Sequence, residues 1–260
     1  VELKTILLGQ RPARVWTGGT GEAIVLLHGG RAGAEAYWST VTDDLERTHF
    51  VVAPEIPPVH LPEGLPSFGA YAEWLAELLT ALGIERAALV GNSLGATIAW
   101  RFAGQHPERS AGLVLVNGYQ PPVYSKMLRW LAGRTPIRSL ARGNLQRLHF
   151  GPEVLPLAFH DRSKVPSEIT RTLEKFTAAD ADRVLDFLLS GEEAAPPPNG
   201  SVLLIFGEAD RSPVLHKNGA RKMRLSLEQS KLVTIPEAGH LPQIEQPEAF
   251  VRELRRFIDR

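Results

Sequence analysis

Three short stretches carry residue types that can do covalent chemistry together: Gly91-Asn92-Ser93-Leu94-Gly95, then Asp210 in Gly207-Glu208-Ala209-Asp210, then His240 in Glu237-Ala238-Gly239-His240. A serine hydroxyl is a poor nucleophile near neutral pH. It needs a base within hydrogen-bond reach and a third group that holds the base. Ser93, His240 and Asp210 supply those three parts, in the chain order serine, acid, histidine. The serine has a glycine two residues away on each side and lies between the apolar run 87–90 and a helix-like stretch over 93–105, which fits a strand-turn-helix elbow. A serine in such a turn sits at a strained backbone angle, and its neighbours must carry almost no side chain for strand and helix to pass so closely. A tetrahedral intermediate on Ser93 also needs donors for its oxyanion. The expected pair is the backbone N–H of Leu94 and that of Gly30, in the loop after His28-Gly29.

Each residue also has a plainer reading. Ser93 could N-cap its helix, Asp210 could be a turn aspartate and His240 a turn histidine. Their joint placement favours chemistry. His28 reads as structural, orienting the oxyanion loop by hydrogen bonds, and His60 carries no chemical role. Asn92 either contacts substrate or ties down the elbow. Trp38 and Trp130 could line an acyl pocket, although aromatic residues at helical spacing are more often core.

The elements that must position these groups are visible as hydrophobic runs. Val1 to Leu8 and Arg14 to Thr17 alternate like strands, with turn residues at Gly9-Gln10 and Gly18 to Gly21. The runs 23–27, 50–53, 87–90, 113–116, 202–206 and 232–235 are continuously apolar, the pattern of strands buried on both faces. Helical periodicity joins Phe68, Tyr71, Leu75, Leu78, Leu79 and Leu82, and again Phe250, Leu254, Phe257 and Ile258. Alternating strand and helix predict an α/β fold with a mostly parallel, doubly wound sheet. Loops following strands 202–206 and 232–235 would then bring Asp210 and His240 to the carboxyl edge of the sheet, where Ser93 also falls.

That alternation stops between Gly118 and about Gly200. No strand-like run appears there, and three apolar stripes succeed one another: Tyr124, Met127, Leu128 and Leu131; Ile137, Leu140, Ala141, Leu145 and Leu148; Ala181, Val184, Leu185 and Leu188. Pro121-Pro122 opens the segment and Pro196-Pro197-Pro198 closes it. The expected organisation is a core of residues 1–118 and 200–260 with a helical cap insertion over 119–199. Within that insertion Lys126, Arg129, Arg134, Arg138, Arg142 and Arg147 fall in a stretch without Asp or Glu, either a solvated face or a mouth for anionic substrates or a carrier protein.

Composition narrows the function classes. The 260 residues are 43% hydrophobic and 22% charged, as in an ordinary globular protein able to bury a large core. Lys+Arg 29 balance Asp+Glu 29, which gives no global case for binding nucleic acid or an anionic membrane. Cysteine is absent, removing disulfides, thiolate metal sites and a cysteine nucleophile. No apolar stretch approaches the roughly 20 residues of a spanning helix, and the start at Val1 lacks a signal-peptide core. A cytoplasmic location is the expectation, and whether a leader preceded Val1 stays open.

At His28-Gly29-Gly30, the Gly-Asn-Ser-Leu-Gly elbow, Gly-Glu-Ala-Asp and Ala-Gly-His, the chain resembles the α/β-hydrolase superfamily, over nearly its whole length. That resemblance implies an α/β-hydrolase fold, a Ser93–His240–Asp210 triad and an oxyanion hole at Gly30 and Leu94. Relatives that place the acid after an earlier strand would need it at Asn117, which is no carboxylate. The Asp nucleophile of family epoxide hydrolases and haloalkane dehalogenases is replaced here by Ser93. His28-Gly29-Gly30, Ala32-Gly33-Ala34 and Gly91-Asn92-Ser93 look like the members that split carbon–carbon bonds in ring-cleavage dienones. Departures from those enzymes are Leu241 where Trp usually follows the histidine, Ala96 in place of a further Gly, and Pro54 to His60 in place of P-D-x-x-G-x-G. Their substrate-binding cap Arg has no match by motif.

The reading that leads is a serine hydrolase of carboxylesters acting on a small-molecule substrate, without metal or organic cofactor, as a monomer or homodimer. Carbon–carbon hydrolysis, thioester or lactone cleavage and a specialised biosynthetic step are alternatives on the same scaffold. A ligand-binding receptor that kept the fold is the alternative from another class.

Overall fold

Each apolar run forms a strand because side chains alternate across it, and both faces find a hydrophobic partner. The computed structural model describes residues 1–118, 124–212, 223–225, 227 and 229–259. In them β1 (Glu2–Leu8), β2 (Arg11–Gly18), β3 (Ala23–Leu27), β4 (Phe50–Pro54), β5 (Ala87–Asn92), β6 (Ser110–Val116), β7 (Val202–Gly207) and β8 (Ser230–Ile235) build one sheet. Its order is β1-β2-β4-β3-β5-β6-β7-β8. The β1–β2 and β2–β4 pairs are antiparallel and the rest parallel, with Leu26 opposite Val90 and Val90 opposite Val114.

Helices α1 (Ala34–Leu45), α2 (Phe68–Ala81) and α3 (Leu94–Gln105) follow β3, β4 and β5. After β8 come α9 (Pro242–Glu245) and α10 (Pro247–Ile258). Val25 and Leu27 of β3 pack with Tyr71 and Leu75 of α2 and Ile98 and Phe102 of α3, while Ile24 and Leu26 pack with Trp38 of α1 and Phe250 and Leu254 of α10. Every residue just named is essentially excluded from water. Such burial contributes about 1.5–3 kcal/mol per large side chain, and the sheet becomes a rigid floor whose carboxyl edge carries the loops of interest.

Between β6 and β7 run α4 (Lys126–Ala132), α5 (Thr135–Leu148), α6 (Leu155–Ala158), α7 (Ser167–Lys175) and α8 (Ala178–Leu188). Their starts are written locally. Ser125 caps α4 by accepting from Leu128 N, and Thr177 with Asp180 forms a capping box on α8. Leu145 of α5 packs on Ala181, Val184 and Leu185 of α8, and Arg138 and Arg142 reach Asp182 at 2.9 and 3.2 Å. The segment is anchored to the core where Phe187 meets Phe68 at 4.6 Å between ring centres and where Glu192 accepts from Phe68 N at 2.8 Å at the start of α2.

The stripes expected in this segment divide differently from their spacing. Met127, Leu128, Ile137 and Leu140 are exposed, whereas Tyr124 and Leu145 turn toward the core. The seven-residue α4 rests on α5 and leaves Met127 and Leu128 exposed. Pro121-Pro122 and the side chain of Leu148 lie outside what is described.

Candidate active site

Ser93 stands alone between the last residue of β5 and the first of α3, with φ 52° and ψ −111°. Its side chain makes no capping hydrogen bond to α3, so the simple N-cap reading fails. Two backbone hydrogen bonds fix the turn: Ser93 N donates to Val116 O at 3.0 Å, and Ser93 O accepts from Thr97 N at 3.2 Å. The flanking glycines have steric causes. A Cβ at Gly91 would overlap the Gly95 carbonyl, and one at Gly95 would overlap the Leu27 carbonyl of β3. Ala96 is accommodated because its Cβ occupies the space a Cβ at Gly118 would need, so the glycine required at this contact sits on the opposite segment.

His240 and Asp210 meet as expected. His240 Nδ1 lies 2.8 Å from Asp210 Oδ2, with both side chains buried, and Asp210 Oδ1 accepts from Ser212 N at 2.9 Å. Burial pushes the Asp210 carboxyl upward, but the charge of His240 and the hydrogen bonds from His240 and Ser212 outweigh it and hold the group below the usual aspartate value. An ionised acid facing Nδ1 keeps the imidazole proton on that atom and leaves Nε2 as the acceptor.

The loops carrying these two residues are tied by Asn117, Asn92 and Glu245, of which the sequence offered this role for Asn92 alone. Asn117, at φ 40°, donates from Nδ2 to Gly239 O at 2.8 Å and accepts from Gly207 N at 3.1 Å, linking the acid and histidine loops to the end of β6. Asn92 donates to Val116 O at 3.1 Å and His240 O at 3.0 Å, so it ties down the elbow. The buried carboxylate of Glu245 accepts from Gly239, His160 and Asp161 N–H groups at 2.6, 2.8 and 2.8 Å. From α6, Leu157 O accepts from Arg211 N at 2.8 Å and Ala158 O from His240 N at 2.5 Å. The only advance sign of Asn117 and Glu245 was a polar residue placed just after an apolar strand or just after the histidine.

Gly30 faces Leu94 across the elbow: a Cβ there would stand 3.6 Å from Leu94 Cδ2. As the first residue of α3, Leu94 has an N–H with no acceptor inside the helix. His28 fixes the preceding loop. Its Nε2 accepts from Ile56 N at 2.8 Å, so the proton sits on Nδ1, which donates to Gly29 O at 2.7 Å, and burial holds its pKa below the ordinary value. The proline-rich stretch after β4 is held in turn by Glu55, which accepts from Trp16 Nε1 and Ala34 N, and by Tyr71, whose hydroxyl donates to Pro57 O at 2.6 Å.

Ser93, Gly30, Leu94 and His240 line one cavity of about 350 Å³ between the sheet edge and helices α5 and α8. Its apolar wall comes from Phe68, Phe150, Leu185, Phe187 and Leu188, with Tyr37 and Tyr124 beside them. Trp38 is core and Trp130 is exposed, so neither lines it. His60 does, its ring tilted against Phe176 with centres 5.6 Å apart. His149 is held down to about 4 by burial and by the charges of Arg31 and His240, and Tyr37 is pushed up to about 12 by burial. Among the described residues no group of three or more His, Cys, Asp or Glu could hold a metal ion, and no helix is long and apolar enough to cross a membrane.

The chain is 27% identical to 2-hydroxy-6-oxo-2,4-heptadienoate hydrolase of Pseudomonas putida, over 98% of this chain and 95% of that protein. It is 30% identical to 2-hydroxymuconate semialdehyde hydrolase of Pseudomonas putida, over 92% and 88%. A thermophilic esterase from Thermogutta terrifontis shares the fold at TM-score 0.71 and 23% identity, covering 100% of this chain and 98% of that one. A profile of the alpha/beta hydrolase family matches residues 24–253. With that match running from β3 to β8 and including the elbow and the loops of Asp210 and His240, the chain belongs to the α/β-hydrolase family and is a hydrolase of that type.

Proposed function

We propose that the protein is a serine hydrolase that cleaves a carboxylic ester of small to medium size through an acyl-enzyme. The buried His240–Asp210 pair, at 2.8 Å and on the same cavity as the strained Ser93, carries this reading. Ser93 Oγ attacks the ester carbonyl while His240 Nε2 takes its proton. The oxyanion is received by the N–H groups of Leu94 and Gly30. Collapse expels the alcohol, protonated by His240, and water repeats the sequence to release the acid. Asp210 orients His240 and stabilises its cationic form. These steps use only groups of the chain and water. Residues 119–199 act as a cap, with 1–118 and 200–260 as the hydrolase core and substrate bound between them.

A second reading is carbon–carbon bond hydrolysis of an oxo-dienoate, favoured by the names of the two Pseudomonas putida relatives. Both are tested by steady-state hydrolysis of a p-nitrophenyl ester series beside loss of absorbance from a 2-hydroxy-6-oxo-dienoate, in the parent and Ser93→Ala. Ester turnover that disappears in Ser93→Ala supports the first reading. Dienoate turnover with the esters untouched moves the assignment to the second, and a parent-like ester rate in Ser93→Ala sinks the proposed nucleophile.

A further inference from the structure

Arg31 follows directly on the oxyanion loop and lines the cavity beside Ser93, yet only 8% of it is exposed. A buried guanidinium ordinarily has a carboxylate partner, because an unpaired charge away from water is costly. Among the described residues Arg31 has none within ion-pair distance. Its hydrogen bond is from Nε to the His149 carbonyl at 3.1 Å, and among the described residues no hydrogen bond joins Nη1 or Nη2. The other lining groups do not neutralise it. No Asp or Glu lines this cavity, His149 and His60 are pushed toward the neutral form, chiefly by burial, and Asp210 acts on Arg31 only at longer range.

Three of the six cations that sequence alone put forward for an anion are engaged elsewhere, and none of the six lines this cavity. Arg138 and Arg142 pair with Asp182 and Asp186 of α8, and the Arg134 guanidinium lies 3.2 Å from the ring centre of Trp130. The guanidinium of Arg31 lines the same cavity as the candidate nucleophile.

We infer that Arg31 anchors a carboxylate on the substrate, so that the preferred esters are half-esters or other acids carrying one negative charge several bonds from the scissile carbonyl. The inference rests on reading this cavity as the active site. One guanidinium in a space with no other Arg, Lys, Asp or Glu in its lining matches one carboxylate, and its planar fork donates to both oxygens. A doubly charged phosphate would find only half its charge met.

The test separates binding from turnover. In Ser93→Ala, calorimetry compares monomethyl adipate with methyl hexanoate, two ligands that differ by a carboxylate in place of a methyl. The expected preference for the half-ester is about tenfold to a hundredfold, the range of a charge-assisted hydrogen bond. It should vanish in Ser93→Ala with Arg31→Gln, which keeps a donor for the His149 carbonyl but removes the charge, and return in part with Arg31→Lys. Equal affinity for the two ligands in Ser93→Ala, or a preference that survives Arg31→Gln, overturns the inference. Since no turnover is needed, failure of the parent to hydrolyse any ester would count against the proposed reaction and leave this result standing.

Discussion

Asp210 gives its two oxygens to different tasks, one to His240 Nδ1 and one to Ser212 N, and the pairing has consequences at two pH ranges. Asp210→Asn keeps the shape but presents an amide that favours the wrong imidazole tautomer, and kcat should fall by about four orders of magnitude in an ester assay. Because the Asp210 pKa is lowered on folding, its contribution to stability is complete above the unfolded value of about 4 and is lost as pH drops through the folded one. The urea midpoint of the parent should therefore fall more steeply than that of Asp210→Asn below about pH 4. His149 has the opposite character. Held at about 4 against an ordinary 6.5, it refuses a proton that the unfolded chain accepts, so stability declines as pH falls from 6.5 toward 4. His149→Asn should flatten that part of the urea midpoint profile. Ser93, Asp210 and His240 were legible in the sequence because each sits in a short motif that a turn demands. Asn117 and Arg31 were not. Asn117 acts on residues 90 and 122 positions away, and what sets Arg31 apart is a missing counter-charge, which no spacing reveals.

At the level of elements, the elbow is the point where backbone meets backbone. Gly95→Ala would drive a Cβ into the carbonyls of Leu27, the last residue of a strand buried on both faces, and of His28 directly after it, which have no room to retreat. We expect a loss of about 3 kcal/mol or more, read as a lower denaturant midpoint, with activity lost even where the protein still folds. The strands were readable because a two-sided parallel sheet demands unbroken apolar runs, and each run became a strand. Helices α2 and α10, on opposite faces of that sheet, were readable from the helical spacing of their apolar residues. The helices between β6 and β7 were readable only as helices. Their apolar stripes face either a cavity or solvent, and the spacing of Met127 and Leu128 is the same for both, so burial was decided by what lies above α4.

For the molecule as a whole, the cavity is shared between the sheet edge and the helical segment, and its length should set the acyl range. Ala141 lies on its α5 wall. Ala141→Phe should lower kcat/KM for long p-nitrophenyl esters by about tenfold or more while leaving acetate within about twofold, and an unchanged chain-length profile would show that substrate lies elsewhere. Fold and order of elements were the most legible level, since the alternation of strand and helix leaves few topologies. The join between the two parts was the least legible. Leu157 and Ala158 of α6 lend their carbonyls to Arg211 and His240, and the N–H groups of His160 and Asp161 close on Glu245. A recombination experiment that swaps residues 119–199 for those of a relative thus transplants half of a hinge-pin, and only crossovers placed beyond Asp161 leave the donor scaffold and its histidine loop cut from the same cloth.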